Sequence, residues 1–311
     1  MPVMRTTLLA LSRNKALQNL IVQVPISRQM ARRFVAGETL EEAIAAVQSL
    51  NAQGMLATLD HLGENVATEA EALASADEYL VALDALFAAK VNSNVSVKLT
   101  QMGLDLGDDF CFENVSRILR RAAELGNFVR IDMEGSPYTE RTIAIYRRLR
   151  RKFDNTGVVI QAYLHRSQAD VASLIADGMG HFRLCKGAYD EPEGIAYRER
   201  PRVTLAMCEL ARTCLEPTGR AQGAYVAVAS HDEDVINFIR AYAYQHDVPP
   251  AAYEFQMLYG IRRELQAKLV RGGYRMRVYV PYGTHWYPYF MRRLAERPAN
   301  LLFFMRALVG N

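Results

Sequence analysis

Two adjacent arginines near the carboxyl end of the chain have the residue type and spacing of an anion-binding pair. Tyr289, Arg292, Arg293 and Glu296 lie at offsets of 0, 3, 4 and 7, which places all four on one face of a helix. A guanidinium group binds a carboxylate or a phosphate through two parallel hydrogen bonds. The spacing therefore predicts an anion clamp in which Glu296 orients an arginine, although a solvated face with salt bridges has the same spacing.

A second group of ionisable side chains lies where short apolar runs end. Lys98 is in VSVKLT, Asp132 in RIDMEG and Arg183 in FRLCKGAY. In a β/α barrel the chemistry takes place at the carboxyl ends of the strands, and these residues would converge there. Structural alternatives exist for some of these residues. Lys98 could lie at a strand edge with its charged end in solvent, and Asp132 could cap a helix. His231 in ASHDED, after a later strand, could lie in the N-cap region of a helix.

The segment RLCKGAYDEP has the composition of a cofactor-binding loop. Gly187 and Ala188 are small enough to let a ligand approach the backbone. Lys186 beside them, with Arg183, suits a phosphate-bearing or electron-rich cofactor. The residues alone therefore predict a barrel enzyme whose open end is cationic and binds a carboxylate substrate. They do not identify the cofactor.

Short apolar runs alternate with longer segments of helical periodicity after residue 51. The predicted strands are Met55–Leu59, Val95–Leu99, Phe128–Ile131, Val158–Tyr163, His181–Cys185, Ala224–Ala229, Tyr253–Leu258 and Met276–Val280. The predicted helices are Thr68–Lys90, Phe110–Leu125, Tyr138–Phe153, Ser167–Ala176, Glu199–Cys214, Asp232–His246, Ile261–Val270 and Trp286–Glu296. This alternation predicts an α/β protein with a (β/α)₈ TIM barrel. The alternative, a doubly wound open sheet, typically carries a glycine-rich turn after its first strand, where this chain has TLDHLGEN.

The first fifty residues read as short amphipathic helices. Thr39 and Glu42 have the spacing of a capping box that opens one of them. We therefore predict an N-terminal helical arm over 1–50, a catalytic barrel over 51–297, and a C-terminal helix over 298–311 that packs on the barrel.

Composition excludes several classes of protein. Lys and Arg exceed Asp and Glu by 37 − 34 = 3, which gives no reason to expect a nucleic-acid partner. The 4 cysteines show no CxxC spacing and the histidines no HxH or HxxxH pair, so we expect no metal site and a reducing compartment. No apolar stretch is long enough to span a bilayer, and we expect a cytoplasmic protein.

At these residues the chain resembles the proline dehydrogenase family. The motifs that carry the resemblance are VSVKLT, RIDMEG, VIQAYLHR, FRLCKGAY, YEFQMLYG, RVYVPYGT and YFMRRLAE, in this order between residues 95 and 296. Each is weak alone, but together they are specific, and the match runs from about residue 51 to 297. The resemblance implies a distorted (βα)₈ barrel with extra N-terminal helices, in agreement with the independent prediction.

The resemblance also implies an activity. It implies noncovalently bound FAD and the oxidation of L-proline to Δ1-pyrroline-5-carboxylate, with hydride passing from proline C5 to flavin N5. This is the first step of proline catabolism to glutamate. No second catalytic domain is evident in the sequence, so we expect the single-activity form.

Roles follow from the resemblance residue by residue. It implies that Asp132 and Arg183 act at the catalytic face, with Arg183 near the flavin N5 edge. It implies substrate binding by Lys98, Tyr279, Tyr289, Arg292, Arg293 and Glu296. It implies cofactor contacts from Met133, Gln161, Arg183, Lys186, Gly187, Ala188, Ser230 and His231.

The resemblance implies partners as well. A membrane quinone would accept the electrons, and a pyrroline-5-carboxylate dehydrogenase would use the product. Since the sequence shows no membrane anchor, any membrane contact would be peripheral, at the inner face, through apolar residues of the arm such as Leu8, Leu9 and Leu11.

Two other functions are compatible with a barrel of this kind. Lys98 or Lys186 could form a Schiff base in an aldolase-like enzyme. That function predicts a colourless protein and borohydride trapping of a keto substrate. A ligand-binding barrel without catalysis would leave the convergence of Lys, Asp and Arg unexplained.

Overall fold

Eight parallel strands, each hydrogen-bonded to the next, close into a barrel in a computed structural model of the chain. The structure describes residues 30–63 and 66–296, with side chains through Arg293. The strands are β1 (Leu56–His61), β2 (Ser93–Val97), β3 (Val129–Ile131), β4 (Thr156–Gln161), β5 (His181–Cys185), β6 (Tyr225–Ala229), β7 (Tyr253–Leu258) and β8 (Met276–Tyr282). Strands β1 and β8 close the barrel, and their pairing runs from Leu56 opposite Arg277 to His61 opposite Tyr282. The predicted barrel is confirmed.

Helices follow the strands around the outside of the barrel. In the described residues they are α1 (Leu40–Ala52), α2 (Glu69–Ala88), α3 (Asp108–Glu124), α4 (Ser136–Arg150), α5 (Ser167–Ala176), α6 (Arg200–Leu215), α7 (Pro217–Ala221), α8 (Glu233–Gln245), α9 (Arg263–Arg271) and α10 (Trp286–Glu296). The predicted bounds of β5, β7, α5 and α10 agree with these residue for residue. The sequence did not predict α7, or the short 3₁₀ turn Pro250–Ala252 before β7.

The start of α1 has the predicted capping box. The Thr39 hydroxyl accepts a hydrogen bond from Glu42 N at 3.3 Å, and the Glu42 carboxylate accepts one from Thr39 N at 3.3 Å. The helix then buries Ala43, Val47 and Leu50 in the core that the barrel strands share. Although most of α1 lies within the predicted arm, the helix packs on the barrel wall beside β1 and β8.

The last helix, α10, packs with an N-terminal segment at the carboxyl end of the barrel. Trp286 and Phe290 lie in one apolar cluster with Phe34 and with Leu62, which follows β1. Backbone hydrogen bonds hold this segment to the end of β8: Ala36 N donates to Pro281 O at 2.8 Å. This packing places α10 over the edge of the barrel where a catalytic site is expected.

The ends of the chain carry predictions that lie outside the described residues. These are most of the predicted arm, with Leu8, Leu9 and Leu11, and the C-terminal helix over 298–311. The domain boundaries at 50 and 297 therefore stay predictions. Across residues 30–63 and 66–296, no helix has both the length and the apolar character needed to cross a bilayer.

Candidate active site

Lys98 stands between two buried carboxylates at the carboxyl ends of β1, β2 and β3. Its Nζ lies 2.8 Å from Asp60 Oδ1 and 3.3 Å from Asp132 Oδ2. Tyr279 on β8 is the third neighbour, with its OH 3.3 Å from the same Nζ. The Lys98 amine would have to leave both carboxylates before it could attack a carbonyl carbon. This geometry argues against Lys98 as a Schiff-base nucleophile.

Asp132 accepts hydrogen bonds on both carboxylate oxygens. Its Oδ1 accepts from Ser96 Oγ and from Arg183 Nη1, each at 2.8 Å. Its Oδ2 accepts from Tyr279 OH at 2.7 Å and from Lys98. Burial on its own would raise the pKa of Asp132, but the charges of Lys98 and Arg183 and the hydroxyl donors outweigh it and lower the pKa. Asp132 is therefore a fixed anion that orients its four neighbours.

The pKa values of Asp60 and Tyr279 are raised, whereas that of Asp132 is lowered. Burial raises the pKa of Asp60, and the Asp132 carboxylate adds to the rise, while the charge of Lys98 opposes it. Burial, followed by the Asp132 and Asp60 charges, also raises the pKa of Tyr279. The Tyr279 hydroxyl therefore stays protonated and donates to Asp132.

Arg183 is held on two sides. Its Nε donates to Gln256 Oε1 at 2.6 Å and its Nη1 donates to Ser96 Oγ at 2.9 Å. Its guanidinium lies over the Tyr279 ring, 5.1 Å from the centroid. The Nη2 atom is buried and has no hydrogen-bond partner among the described residues, so it can donate to a ligand in the barrel mouth.

The predicted anion clamp lies on α10. Arg293 is buried, with its guanidinium 5.0 Å from the centroid of the Tyr289 ring, and Arg292 is half-buried. Because α10 starts four residues after β8 ends, both arginines are carried at the carboxyl end of the barrel. The side chain of Glu296 lies outside the described residues, so its predicted pairing with the clamp stays a prediction.

The predicted cofactor residues form a second region of the same edge, after β4, β5 and β6. Lys186 Nζ lies 2.6 Å from Asp232 Oδ2 and 2.6 Å from Thr204 Oγ1. Gly187 has a φ of +113° and packs against the Tyr163 ring, where any side chain would collide with that ring. Ala188 follows Gly187 on the same loop, half-buried.

The remaining predicted cofactor residues line the neighbouring strand ends. Gln161 Nε2 donates to Glu134 O at 2.9 Å, and Met133, which precedes Glu134 in the chain, is buried. Ser230 Oγ accepts from Asp232 N at 3.1 Å. His231 Nε2 accepts from Leu258 N at 3.0 Å, so its ring joins the loop after β6 to β7.

Asp60 and Gln256 lie at strand exits, where the sequence predicts site residues, but four other polar side chains inside the barrel were not predicted. They are Ser96, Arg130, Glu254 and Arg277. Strand alternation is the signal that could have found them, because residues two apart point the same way. Ser96 precedes Lys98 by two, Arg130 precedes Asp132 by two, and Arg277 precedes Tyr279 by two. No group of three or more His, Cys, Asp or Glu side chains in the described part of the chain is arranged to hold a metal ion.

Comparison with known proteins identifies relatives along nearly the whole chain. Residues 43–306 match the family described as proline dehydrogenase. Proline dehydrogenase 1 of Bacillus subtilis (strain 168) is 42% identical over 307 residues, 99% of each chain. Proline dehydrogenase of Deinococcus radiodurans is 40% identical over 285 residues, 90% of each chain.

A solved structure has the same architecture. The crystal structure of proline utilization A from Bdellovibrio bacteriovorus, inactivated by N-propargylglycine, superposes with a TM-score of 0.81 at 28% identity. The superposition covers 87% of this chain and 33% of that longer chain.

Proposed function

The chain belongs to the proline dehydrogenase family, and we propose that it is a flavin-dependent enzyme that oxidises L-proline to Δ1-pyrroline-5-carboxylate, the first step of proline catabolism. The observation that carries this proposal is the buried group of Lys98, Asp132, Arg183 and Tyr279 at the carboxyl end of the barrel. It combines fixed cations with a fixed anion in a buried site, where charges act strongly on a bound zwitterion.

The residues of the barrel mouth fit FAD. Arg183 Nη2 is a buried donor that has no hydrogen-bond partner in residues 30–63 and 66–296, and the lack of a side chain at Gly187 lets the cofactor loop pack closely on the Tyr163 ring. Met133, Gln161, Arg183, Lys186, Gly187, Ala188, Ser230 and His231 would hold the cofactor. Lys186 forms a salt bridge with Asp232, and its ammonium group would contact a phosphate group of the cofactor in addition to that carboxylate. A bound FAD supplies the acceptor for the two electrons and the hydrogen that leave proline C5.

The substrate carboxylate would be held by the two arginines of α10. Arg292 and Arg293 can each offer paired N–H donors, and Glu296 would balance their charge. Lys98 would add a third cation on the same side. Tyr279 and Tyr289 would pack on the apolar carbons of the proline ring and fix which ring carbon is presented for oxidation.

The reaction breaks the C5–H and N–H bonds and forms the C5=N bond, so the ring nitrogen must present its lone pair. Proline in water carries an ammonium group at neutral pH. Lys98 and Arg183 place positive charge near the bound ring, which disfavours the ammonium form. The chain's own groups therefore prepare the substrate by binding its carboxylate and promoting loss of the amine proton.

Electron transfer out of the protein and use of the product complete the proposal. We propose a membrane quinone as the electron acceptor, reached by peripheral contact, and a separate pyrroline-5-carboxylate dehydrogenase as the enzyme that uses the product. Some relatives are longer: the bifunctional protein PutA of Escherichia coli is 27% identical, and this chain spans 24% of it.

Identification of the product tests the reaction. The purified protein, incubated with FAD, L-proline and a dye acceptor, should form a species that o-aminobenzaldehyde traps as the Δ1-pyrroline-5-carboxylate adduct. D-proline serves as the control, and N-propargylglycine should inactivate the protein, as it did the Bdellovibrio relative. A substrate that borohydride fixes covalently to Lys98 or Lys186, without dye reduction, would replace this proposal with a Schiff-base mechanism.

A further inference from the structure

A chain of buried polar side chains runs from Arg183 toward the amino ends of β7 and β8. Arg183 Nε donates to Gln256 Oε1 at 2.6 Å, and Gln256 Nε2 donates to Glu254 Oε1 at 2.6 Å. Arg277 Nε donates to the same Glu254 oxygen at 2.7 Å. All four side chains are largely or fully buried. None of the roles assigned above involves Gln256, Glu254 or Arg277.

The direction of each hydrogen bond in this chain is set by its two ends. A guanidinium only donates and an ionised carboxylate only accepts. Burial alone would raise the pKa of Glu254, but the charge and hydrogen bond of Arg277 outweigh it and lower the pKa, so Glu254 is ionised. The group between Arg183 and Glu254 must therefore accept at one end and donate at the other. The Gln256 amide does both, in one orientation only.

This anchoring fixes the plane of the Arg183 guanidinium. Gln256 holds Nε, while Ser96 and Asp132 hold Nη1. Because a guanidinium is rigid and planar, two anchored nitrogens determine the direction of the third. That third nitrogen, Nη2, is the donor that has no partner among the described residues.

We infer that Gln256, oriented by Glu254 and Arg277, is a positioning residue that aims Arg183 Nη2 at the reacting centre. The inference rests on the proposed function in assuming that Arg183 acts on the bound flavin and substrate. It adds that three residues below the site determine how well Arg183 does so. These three residues should affect kcat and not the KM for proline, because the proposed binding site of the substrate carboxylate is elsewhere, on α10.

A double-mutant cycle on the flavin-loaded enzyme tests this role. Gln256→Leu removes both hydrogen bonds at nearly the same volume, and Arg183→Lys removes the guanidinium. Gln256→Leu should lower kcat about tenfold to hundredfold with little change in KM for proline. In the Arg183→Lys background the same change should lower kcat by less than about twofold, since residues of one network are not additive. Losses that multiply, or an unchanged kcat in the single variant, overturn the inference.

Gln256→Glu keeps the proposal testable if the leucine variant does not fold. Two carboxylates at this spacing share one proton, and the protonated pair reproduces the acceptor and donor of the native amide. The variant should approach the wild-type kcat at low pH and fall away from it as the shared proton is lost. A pH profile parallel to that of the wild type would contradict the role.

A second readout is independent of turnover. Gln256→Leu should shift the midpoint potential of the bound flavin relative to wild type. The double variant should have the same midpoint potential as Arg183→Lys alone. Equal shifts from Gln256→Leu in both backgrounds would mean that Gln256 does not act through Arg183. The wild-type arm separates the two ideas: failure of the wild type to oxidise proline refutes the proposed function, whereas a normal wild type with additive variants refutes only the positioning role.

Discussion

Asp132 is the anion on which the buried cations of the barrel mouth converge. It accepts hydrogen bonds from Lys98, Arg183, Ser96 and Tyr279, which come from three different strands and the residue after one of them. Removing its charge leaves two cations less compensated in a buried site, which costs more than the loss of one exposed salt bridge. Asp132 therefore couples the stability of the barrel to the geometry of the site.

The first prediction concerns this carboxylate. Asp132→Asn keeps the size of the side chain but removes the charge and disturbs the donors that face it. We expect a fall in kcat of about tenfold or more and a loss of unfolding free energy of up to about 3–5 kcal/mol. Stopped-flow reduction and urea unfolding measure the two effects separately.

The control for Asp132→Asn is a carboxylate with the same chemistry on the outside of the barrel. Asp109 on α3 is largely exposed and pairs with Arg148 at 2.6 Å. Asp109→Asn should change stability by less than about 1 kcal/mol and leave kcat unaltered. Equal effects from Asp109→Asn and Asp132→Asn would contradict the role of the Asp132 carboxylate in both stability and kcat.

The second prediction concerns the substrate amine. The value of kcat/KM should rise with pH, because it reports the free substrate and only the neutral amine has the lone pair that the reaction needs. The apparent pKa in kcat should be lower than that in kcat/KM, because Lys98 and Arg183 disfavour the ammonium form in the complex. A flat kcat/KM through the alkaline range would show that amine deprotonation does not limit the reaction.

At the scale of elements, α10 carries the proposed clamp, and its packing with residues 31–35 fixes its position at the carboxyl end of the barrel. Arg292→Met and Arg293→Met should each weaken proline binding. Each lost charged hydrogen bond is worth ~1.5–3 kcal/mol, or about 10- to 150-fold in Kd. Titration of the reduced enzyme with proline, followed by the flavin spectrum, measures Kd without turnover.

A matched arginine on the outer wall controls for the loss of a long cationic side chain. Arg117 on α3 pairs with Asp77 on α2 and lies on the outside of the barrel. Arg117→Met should leave Kd for proline within about twofold of wild type, since exposed ion pairs contribute little. An unchanged Kd in either α10 variant would refute the assignment of that arginine.

Sequence periodicity predicts the elements well where a strand begins and ends with its apolar run. The run at 158–163 misplaces β4, which is Thr156–Gln161. The strand starts at Thr156 and Gly157 because they pair with Val129 and Arg130 of β3, and any larger side chain at Gly157 would collide with the Arg130 guanidinium. Neither residue is apolar, so the pattern could not include them.

The position of α1 has a similar explanation. An amphipathic pattern shows that one face of a helix is buried but does not show against what. The sequence therefore predicts the Thr39 cap and the helix that follows, but not its packing beside β1 and β8. The contact with β8 depends on residues more than two hundred positions away.

At the scale of the whole molecule, the barrel interior is charged where an apolar filling of Val, Ile and Leu is the usual expectation. Arg130 on β3 contacts His181, the first residue of β5, at the lower end of the barrel, where the strands begin. Its Nη1 lies 2.7 Å from His181 O and its Nη2 lies 3.0 Å from His181 Nδ1. The strand-exit residues of the site could be predicted from their position. The lower charges were missed although strand alternation places Arg130 two residues before Asp132 and Arg277 two before Tyr279. Their partners could not be predicted, because a single strand does not show which residues meet across a closed barrel.

These lower charges predict a loss of stability in acid. Burial, together with the charge of Arg130, lowers the pKa of His181 well below its usual value. Below a pH of about 6.5 the unfolded chain binds a proton that the folded chain does not bind. Stability should therefore fall with decreasing pH, by up to about 1.4 kcal/mol per pH unit for this one histidine. Urea unfolding at pH 5 to 8 measures the slope.

His181→Gln provides the comparison for that slope. The variant should be less stable than wild type at pH 8, because the ring packs between Phe128 and Tyr225. Between pH 6.5 and 5 its stability should fall less steeply, since one proton uptake has been removed. His61, whose pKa burial also lowers, should account for part of the remaining slope. Parallel slopes in the two proteins would assign the acid sensitivity to other groups.

The proposed function is tested most directly by the visible absorption spectrum of the purified protein, recorded without oxygen before and after addition of L-proline. We predict a flavin spectrum that bleaches with proline and is unaffected by D-proline. That result would establish the cofactor, the substrate and the direction of electron flow together. A flavin spectrum that persists in excess L-proline would contradict the substrate, and a protein that stays colourless after incubation with FAD would contradict the cofactor.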